Sequence, residues 1–233
     1  MMADERGAAI GVVVPAAGLG RRMGGVRKQY LELAGEPVLL WSIRPFLAVA
    51  EVVAIAVALP EDDVGDPPDF LVDLDPRVLL VAGGETRRDS VWSGLQALPG
   101  DVETVVVHDG ARPLVSRDVI QECIRVARTG TGAVAGCPAV DTLKRVREGR
   151  CIVDTPDRTE LWHAQTPQAF PRKVLERAYR SAIAEDWPVT DDSGVVERAG
   201  GDVMMVSSPA SNLKVTRPDD LALAGLLMDG GIP

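Results

Sequence analysis

VVVPAAGLGRRMGGVRKQY, residues 12–30, is the stretch from which the rest of the chain can be read. Its run Val12-Val13-Val14 lacks polar alternates, the pattern of a parallel strand buried on both faces. Pro15 stops the strand, and Ala16, Ala17, Gly18 and Gly20 follow with almost no side-chain bulk. Backbone N–H groups in such a loop can approach an anion closely. Arg21, Arg22, Arg27 and Lys28 add four cations within eight residues. Strand, bare loop and positive charge together predict a polyphosphate seat. Spacing excludes two common seats. No Lys-Ser or Lys-Thr follows the glycines, as a P-loop requires, and Met23 stands where G-x-G-x-x-G needs its third glycine.

The whole chain bounds this reading. Its 233 residues suffice for one large α/β domain, and 46% hydrophobic residues give it a sizeable core. Aromatics are only 4%, so Val, Leu and Ala must fill that core. A net charge of −9 argues against nucleic acid as a partner and makes the local cation cluster more informative. Cys123, Cys137 and Cys151 are odd in number and show no C-x-x-C spacing, which supports neither a disulfide framework nor a zinc ribbon. MMADERGAA lacks the apolar segment of a signal peptide, and no apolar run reaches the roughly 18 residues of a membrane span. A soluble cytoplasmic protein, without membrane or nucleic-acid partners, is expected.

Beyond the opening stretch, apolar runs predict strands over residues 51–59, 77–81, 103–107 and 131–137. Helices alternate with them. One begins at Pro37, with Pro45 expected to kink or end it early. Others are capped by Thr86 and Ser116. Residues 60–68 are acidic and Pro-rich and read as a surface connection, with a short helix over 69–74. This alternation implies right-handed crossovers and a parallel sheet. Residues 141–158 break it with charge and short alternating runs around Glu148-Gly149, and read as a β-hairpin leaving the body. Such a hairpin is marginal in water, so a partner chain is expected to cover it. The chain returns through residues 161–164. Helices over 171–184 and 191–199 (the second capped by Thr190), strands over 202–206 and 212–215, and a closing amphipathic helix over 217–228 complete the reading. The expected architecture is a Rossmann-like three-layer α/β domain over residues 1–233, with a mostly parallel sheet and a protruding β-hairpin arm at about 138–160.

Ligands of open α/β sheets lie beyond the carboxyl ends of the strands. The candidates there are the Gly-rich loop, Gly83-Gly84-Glu85-Thr86-Arg87 with Ser90, His108-Asp109 with Arg112, and Asn212 with Lys214. Asp109 is the metal candidate, since Mg²⁺ prefers oxygen ligands and shares itself with substrate phosphates. His108 and His163 are expected to hydrogen-bond locally rather than act as bases. No G-x-S-x-G supports a serine hydrolase.

PAAGLGRRM followed by Lys28-Gln29-Tyr30 resembles the signature of nucleotidyltransferases that join a nucleoside triphosphate to a phosphorylated sugar or polyol. GGETRRDSV, HDGARP, DTLKR, LWHAQTPQAF, TDDSGVVE and NLKVTRPDDL then follow in the order of the 2-C-methyl-D-erythritol 4-phosphate cytidylyltransferase family. The resemblance implies transfer of a cytidylyl group from CTP to methylerythritol phosphate, with release of pyrophosphate, in non-mevalonate isoprenoid synthesis. By the same resemblance, Ala16, Ala17, Gly18, Gly20, Gly84, Glu85 and Ser90 hold CTP, and Arg22, Lys28 and Lys214 are the catalytic cations. Asp109, Arg112, Thr142, Arg158, Thr166 and Thr190 hold the acceptor. Asp109 and Asn212 hold Mg²⁺ or another divalent cation. The arm crosses a homodimer, so that Thr142 and Arg158 serve the neighbour's site. Two residues depart from the pattern: Glu85 stands where Asp is frequent, and Arg27 where Pro is usual. Ribitol 5-phosphate cytidylyltransferase is the alternative with the same chemistry, against which Lys144 in DTLKR weighs mildly. A non-catalytic CTP-binding regulatory dimer is the alternative from another class.

Overall fold

The computed structural model describes residues 8–18 and 27–230. After β1 (Ile10–Pro15) come a small ribbon of β2 (Glu32–Leu33) and β3 (Glu36–Pro37), helix α1 (Val38–Leu47), β4 (Val52–Leu59) and the short α2 (Glu61–Gly65). Next are β5 (Val78–Ala82), α3 (Arg87–Ala97), β6 (Thr104–Val107), α4 (Arg117–Ala127) and β7 (Gly132–Pro138). The hairpin β8 (Arg145–Val146) and β9 (Ile152–Asp154) follows, then β10 (Trp162–Pro171), α5 (Arg172–Ala184), α6 (Asp192–Arg198), β11 (Val203–Ser207) and α7 (Pro218–Asp229).

Seven strands form one sheet in the order β11-β7-β10-β6-β1-β4-β5. All neighbours are parallel except β10, which runs antiparallel to both β6 and β7. The chain leaves β1 for β4 and β5 on one side, then crosses to β6 on the other. That reversal opens a crevice at the carboxyl ends of β1 and β6.

The alternation of β1 separates two apolar layers. Val12 and Val14 pack with Leu39, Ile43 and Phe46 of α1 and Ile120 and Ile124 of α4. Val13 faces Val91 and Leu95 of α3 and Leu175 and Tyr179 of α5. Each such buried aliphatic side chain contributes about 1.5–3 kcal/mol. A smaller cluster of Leu33, Val38, Ala111, Val215 and Ala224 seats α7. Among the described residues no helix is long and apolar enough to cross a membrane.

Local chemistry fixes the helix starts. Thr86 and Asp89 form a reciprocal capping box on α3, and Ser116 caps α4, whose stripe Val119, Ile120, Cys123, Ile124 and Ala127 is buried. Several expectations are corrected. Pro45 neither ends nor precedes the end of α1 at once: the helix runs on to Leu47, because in the last turn Pro removes a single hydrogen bond. The 60–68 connection contains α2, started by Pro60, and the helix expected over 69–74 is a three-residue turn at Asp69–Leu71. Asp191, rather than Thr190, caps α6 by accepting from the Gly194 N–H. Residues 212–215 are not a strand; their backbone bonds are Asn212 N–H to the Pro209 carbonyl (3.0 Å) and Val215 N–H to the Ala111 carbonyl (2.8 Å), neither of them part of a ladder. The largest omission is β10, which fills the gap between β6 and β7. Its Gln165, Thr166, Pro167 and Gln168 mask the apolar pattern of a central strand.

The hairpin stands where the reading put it. Gly149 (φ 73°) and Arg150 (φ 62°) turn it, and Arg145 pairs with Asp154 at 3.2 Å. It exposes Val140, Val146, Ile152 and Val153, a concentration of apolar side chains on a segment with no core of its own.

Gly94 marks the closest approach of α3 to β1: a Cβ there would stand 2.5 Å from Val13 Cγ1. Gly94→Ala is expected to destabilise the fold by about 1–3 kcal/mol through overpacking, read as a lower urea midpoint with unchanged slope. An unchanged midpoint would show that the layers are not so tightly apposed.

Candidate active site

Three loops meet at the crevice, and small residues let them meet. Ala16-Ala17-Gly18 follows β1, Gly83-Gly84 follows β5, and Asp109-Gly110-Ala111 follows β6. A Cβ on Gly83 would overlap Ala17, and one on Gly110 would lie 2.9 Å from Leu39 and 3.2 Å from Ala16. The cleft they frame holds about 900 Å³ and is also lined by Glu85, Thr86, Arg87, Ser90, Thr190 and Lys214. That is ample for a nucleotide and a small acceptor. Ser90 Oγ receives the Gly84 N–H (3.2 Å) and donates back to the Thr86 carbonyl (3.0 Å), which fixes the β5 loop.

The Gly-rich loop is tied down where it rejoins the body. Gln29 donates from its buried amide to the Ala16 carbonyl at 2.7 Å, so the exit of the loop is clamped to its entrance. Tyr30 donates to Asp63 of α2 at 2.5 Å, and Arg27 pairs with the same carboxylate. This pair accounts for Arg27: it anchors the end of the loop by charge, from a position where a proline would anchor it by stiffness. Lys28 opens the Lys28–Tyr30 turn between these anchors. Its side chain, Gly20 and Arg22 lie outside the described residues.

Asp109 is the electrostatic centre of the cleft. Its turn closes with Arg112 N–H on the Asp109 carbonyl at 3.0 Å. The carboxylate meets Arg87 Nη1 at 2.5 Å, Lys214 Nζ at 2.9 Å and Arg112 Nε at 3.3 Å. Burial opposes its charge, but these three cations outweigh burial and hold the carboxyl well below its ordinary range. Arg87 also grips Asp192 at 2.6 Å. Three cations thus face two carboxylates. One positive charge is in excess, and Lys214 is the least buried member of the group. An anion in the cleft would complete the balance.

Behind Asp109 a single chain of hydrogen bonds is forced by chemistry. The Arg112 carbonyl can only accept, so His108 Nε2 carries the proton it receives (3.1 Å). His108 Nδ1 therefore accepts from Thr166 Oγ1 (3.1 Å), which in turn receives the Asp109 N–H (3.0 Å). His108 is fully buried, and burial lowers its pKa to about 4. It is a neutral strut rather than a base.

The crevice brings together Ala16, Ala17, Gly18, Gly84, Glu85, Ser90, Asp109, Thr190 and Lys214. Thr166 lies directly behind Asp109, with its hydroxyl engaged as above. Arg112 is buried and also donates to the Asn212 carbonyl at 2.8 Å, tying the Lys214 segment to the Asp109 turn. Thr142 and Arg158 are exposed on and beside the hairpin and do not line this cleft; Arg158 donates to the Val140 carbonyl. Asn212 does not line it either. Its Nδ2 donates to Gln165, Thr166 and Ser208, while its buried Oδ1 has no partner among the described residues. No group of three His, Cys, Asp or Glu that could cage a metal occurs among the described residues. Both Asp109 oxygens are already paired with cations, Oδ1 with Arg87 and Oδ2 with Lys214 and Arg112, so a hard cation here would have to be held mainly by phosphate oxygens. Sequence reading named Arg87 among the strand-end residues and Gln29 within Lys28-Gln29-Tyr30 but gave neither a role, and it passed over Asp192. Arg87 was visible within GGETR, but its partners lie 22 and 105 residues away.

Burial of His108 makes the fold sensitive to acid. Its folded pKa of about 4 lies below the ordinary 6.5, so the unfolded chain takes the proton first. Stability from neutral His108 is fully present above pH 6.5 and is lost as pH falls through 4, a change of about 3 kcal/mol. NMR titration should find this imidazole near 4, with the urea midpoint dropping over the same window. A titration near 6.5 would contradict the buried neutral strut.

Comparison with known proteins completes the assignment. Residues 10–230 match the family model "IspD: 2-C-methyl-D-erythritol 4-phosphate cytidylyltransferase". The chain is 43% identical to the 2-C-methyl-D-erythritol 4-phosphate cytidylyltransferase of Thermosynechococcus vestitus, covering 91% of this chain and 92% of that one. It is equally identical to that of Symbiobacterium thermophilum, over 94% and 93%. The crystal structure of the Thermus thermophilus enzyme of the same name superposes with a TM-score of 0.80 at 32% identity, covering 95% of this chain and 99% of that one. The chain belongs to the 2-C-methyl-D-erythritol 4-phosphate cytidylyltransferase family.

Proposed function

We propose that this chain carries out its family's reaction: CTP and 2-C-methyl-D-erythritol 4-phosphate give 4-CDP-2-C-methyl-D-erythritol and pyrophosphate. The observation that carries the reading is that the PAAG, GGET, HDGAR, Thr190 and Lys214 segments, far apart in sequence, line one cleft. Cytosine and ribose would lie against Ala16–Gly18 and Gly84–Ser90, with the triphosphate under the Gly-rich loop. The acceptor would lie toward Asp109, Arg112, Thr166 and Thr190.

The acceptor's phosphate monoester is largely ionised near neutral pH, so it needs no general base to attack the α-phosphorus in line. That agrees with a neutral His108. Negative charge grows on the α-phosphoryl oxygens and the departing pyrophosphate. Lys214, held by Asp109, and the loop cations Arg22 and Lys28 are the groups to stabilise it. A Mg²⁺ ion beside Asp109 would supply further charge neutralisation on the phosphates, while the buried Asn212 is set back from the cleft and would not reach it. Positioning and electrostatics do the work, and no covalent enzyme intermediate is needed.

A homodimer through the arm belongs to the same reading. The exposed apolar hairpin is the support, together with the exposure of Thr142 and Arg158 outside the lining of their own chain's cleft. A second copy would cover the first and use the second. A cytoplasmic location is proposed with it, since the three free thiols suit a reducing compartment.

Pyrophosphate release should require CTP and methylerythritol phosphate together and fall away with other nucleotides or with ribitol 5-phosphate. Lys28→Ala should lower kcat at least a hundredfold, about 3–4 kcal/mol of transition-state stabilisation, with an unchanged circular dichroism spectrum. Near-normal turnover would remove Lys28 from the mechanism. Arg158→Ala should raise KM for methylerythritol phosphate far more than for CTP. At an acceptor concentration too low for Arg158→Ala alone to turn over, mixing the Lys28→Ala and Arg158→Ala chains should give about a quarter of wild-type activity, because half the dimers then carry one intact site of two. No recovery on mixing would place Arg158 in its own chain's site.

A further inference from the structure

We infer that Arg87 is a positioning residue for the acceptor half of the cleft. One guanidinium sets both Asp109 and the segment that presents Thr190. This rests on the reading above that Asp109 and Thr190 serve the acceptor.

Arg87 is the first residue of α3, and the Thr86–Asp89 box fixes where that helix begins. From there its fork divides. Nη1 meets Asp109 Oδ1 at 2.5 Å, beyond β6, and Nη2 meets Asp192 Oδ2 at 2.6 Å, at the start of α6. Asp192 is fully buried, and its other oxygen receives the Tyr179 hydroxyl at 2.5 Å. The same end of α6 is pinned to β10, where Gln168 donates to Asp191 at 2.9 Å and accepts from the Ser193 N–H at 2.8 Å. Thr190, the next residue back, lines the cleft. The path Tyr179–Asp192–Arg87–Asp109–Lys214 therefore runs from the buried interior to the cleft, and Lys214 is its most exposed member.

The residue type follows from the geometry. A planar fork can hold two carboxylates in fixed directions, whereas an ammonium is a single point charge. A lysine at 87 would keep the charge but could not keep both partners aligned. The nucleotide half of the cleft depends on Ser90, Gly84 and the β1 loop, which this fork does not touch. Loss of the fork should therefore separate the two substrates.

The test is steady-state kinetics on the full-length protein with Arg87→Lys, Asp109→Asn and the double variant. Arg87→Lys should raise KM for methylerythritol phosphate at least tenfold and leave KM for CTP within twofold. The double variant should be worse than Asp109→Asn alone by less than the full Arg87→Lys factor, since the Asp109 branch of the fork is then already lost and only the Asp192 branch remains to lose. Equal rises in both KM values, or independent additive losses in the double variant, would make Arg87 a general structural residue and overturn the inference. An acceptor effect in Asp109→Asn without one in Arg87→Lys would overturn it while leaving the acceptor assignment standing. No acceptor effect in Asp109→Asn would overturn the acceptor assignment and this inference with it. If Arg87→Lys fails to fold, Tyr179→Phe, which removes only the bond to Asp192, should still raise the acceptor KM selectively. An unchanged acceptor KM in Tyr179→Phe would count against the inference.

Discussion

A buried carboxylate surrounded by three cations is the constraint on which the cleft depends. Asp109 cannot be left charged and unpaired out of water. Its partners must therefore come to it: Arg87 from α3, Arg112 from its own turn and Lys214 from the segment before α7. Removing one partner of such a buried group typically costs about 3–5 kcal/mol, because the remaining charge stays uncompensated. The network is thus part of the fold as well as of the site. It ends at Lys214, so the charge left over after internal pairing is the one facing the cleft.

The sheet supplies the place for this network. The order β4-β1-β6 brings the loops after β1 and β6 side by side, and small residues allow their backbones to touch. β10, antiparallel in the middle of a parallel sheet, then brings Thr166 beneath Asp109 and Gln168 to the start of α6. Its polar residues weaken it as a strand signal because they brace the site. The neutral His108 closes the same brace from below, and its single possible tautomer gives the Asp109 turn one orientation.

Much of the fold was legible because it is local. The triple valine of β1, the caps at Thr86 and Ser116 and the stripe of α4 follow from periodicity and capping. The hairpin was legible from its broken alternation. What escaped was long-range. Asn212–Val215 has strand-like composition but meets only a turn, so it forms no ladder. Thr190 looks like a cap, yet Asp191 takes that role and leaves Thr190 to the cleft. Motif resemblance pointed to Asp109, Lys214 and Thr190, but the role of Arg87 needs partners on β6 and α6 that spacing cannot reveal. Arg27 became intelligible only when α2 placed Asp63 beside it.

In the proposed reaction CTP and the acceptor share this one cleft, with Lys214 between them. A crystal structure with CTP bound tests that most directly. The cytosine should lie against Gly84 and Ser90, the α-phosphate should face Lys214, and Asp109 should keep its pairs with Arg87 and Lys214. A nucleotide bound elsewhere, or an Asp109 released from both cations, would contradict it.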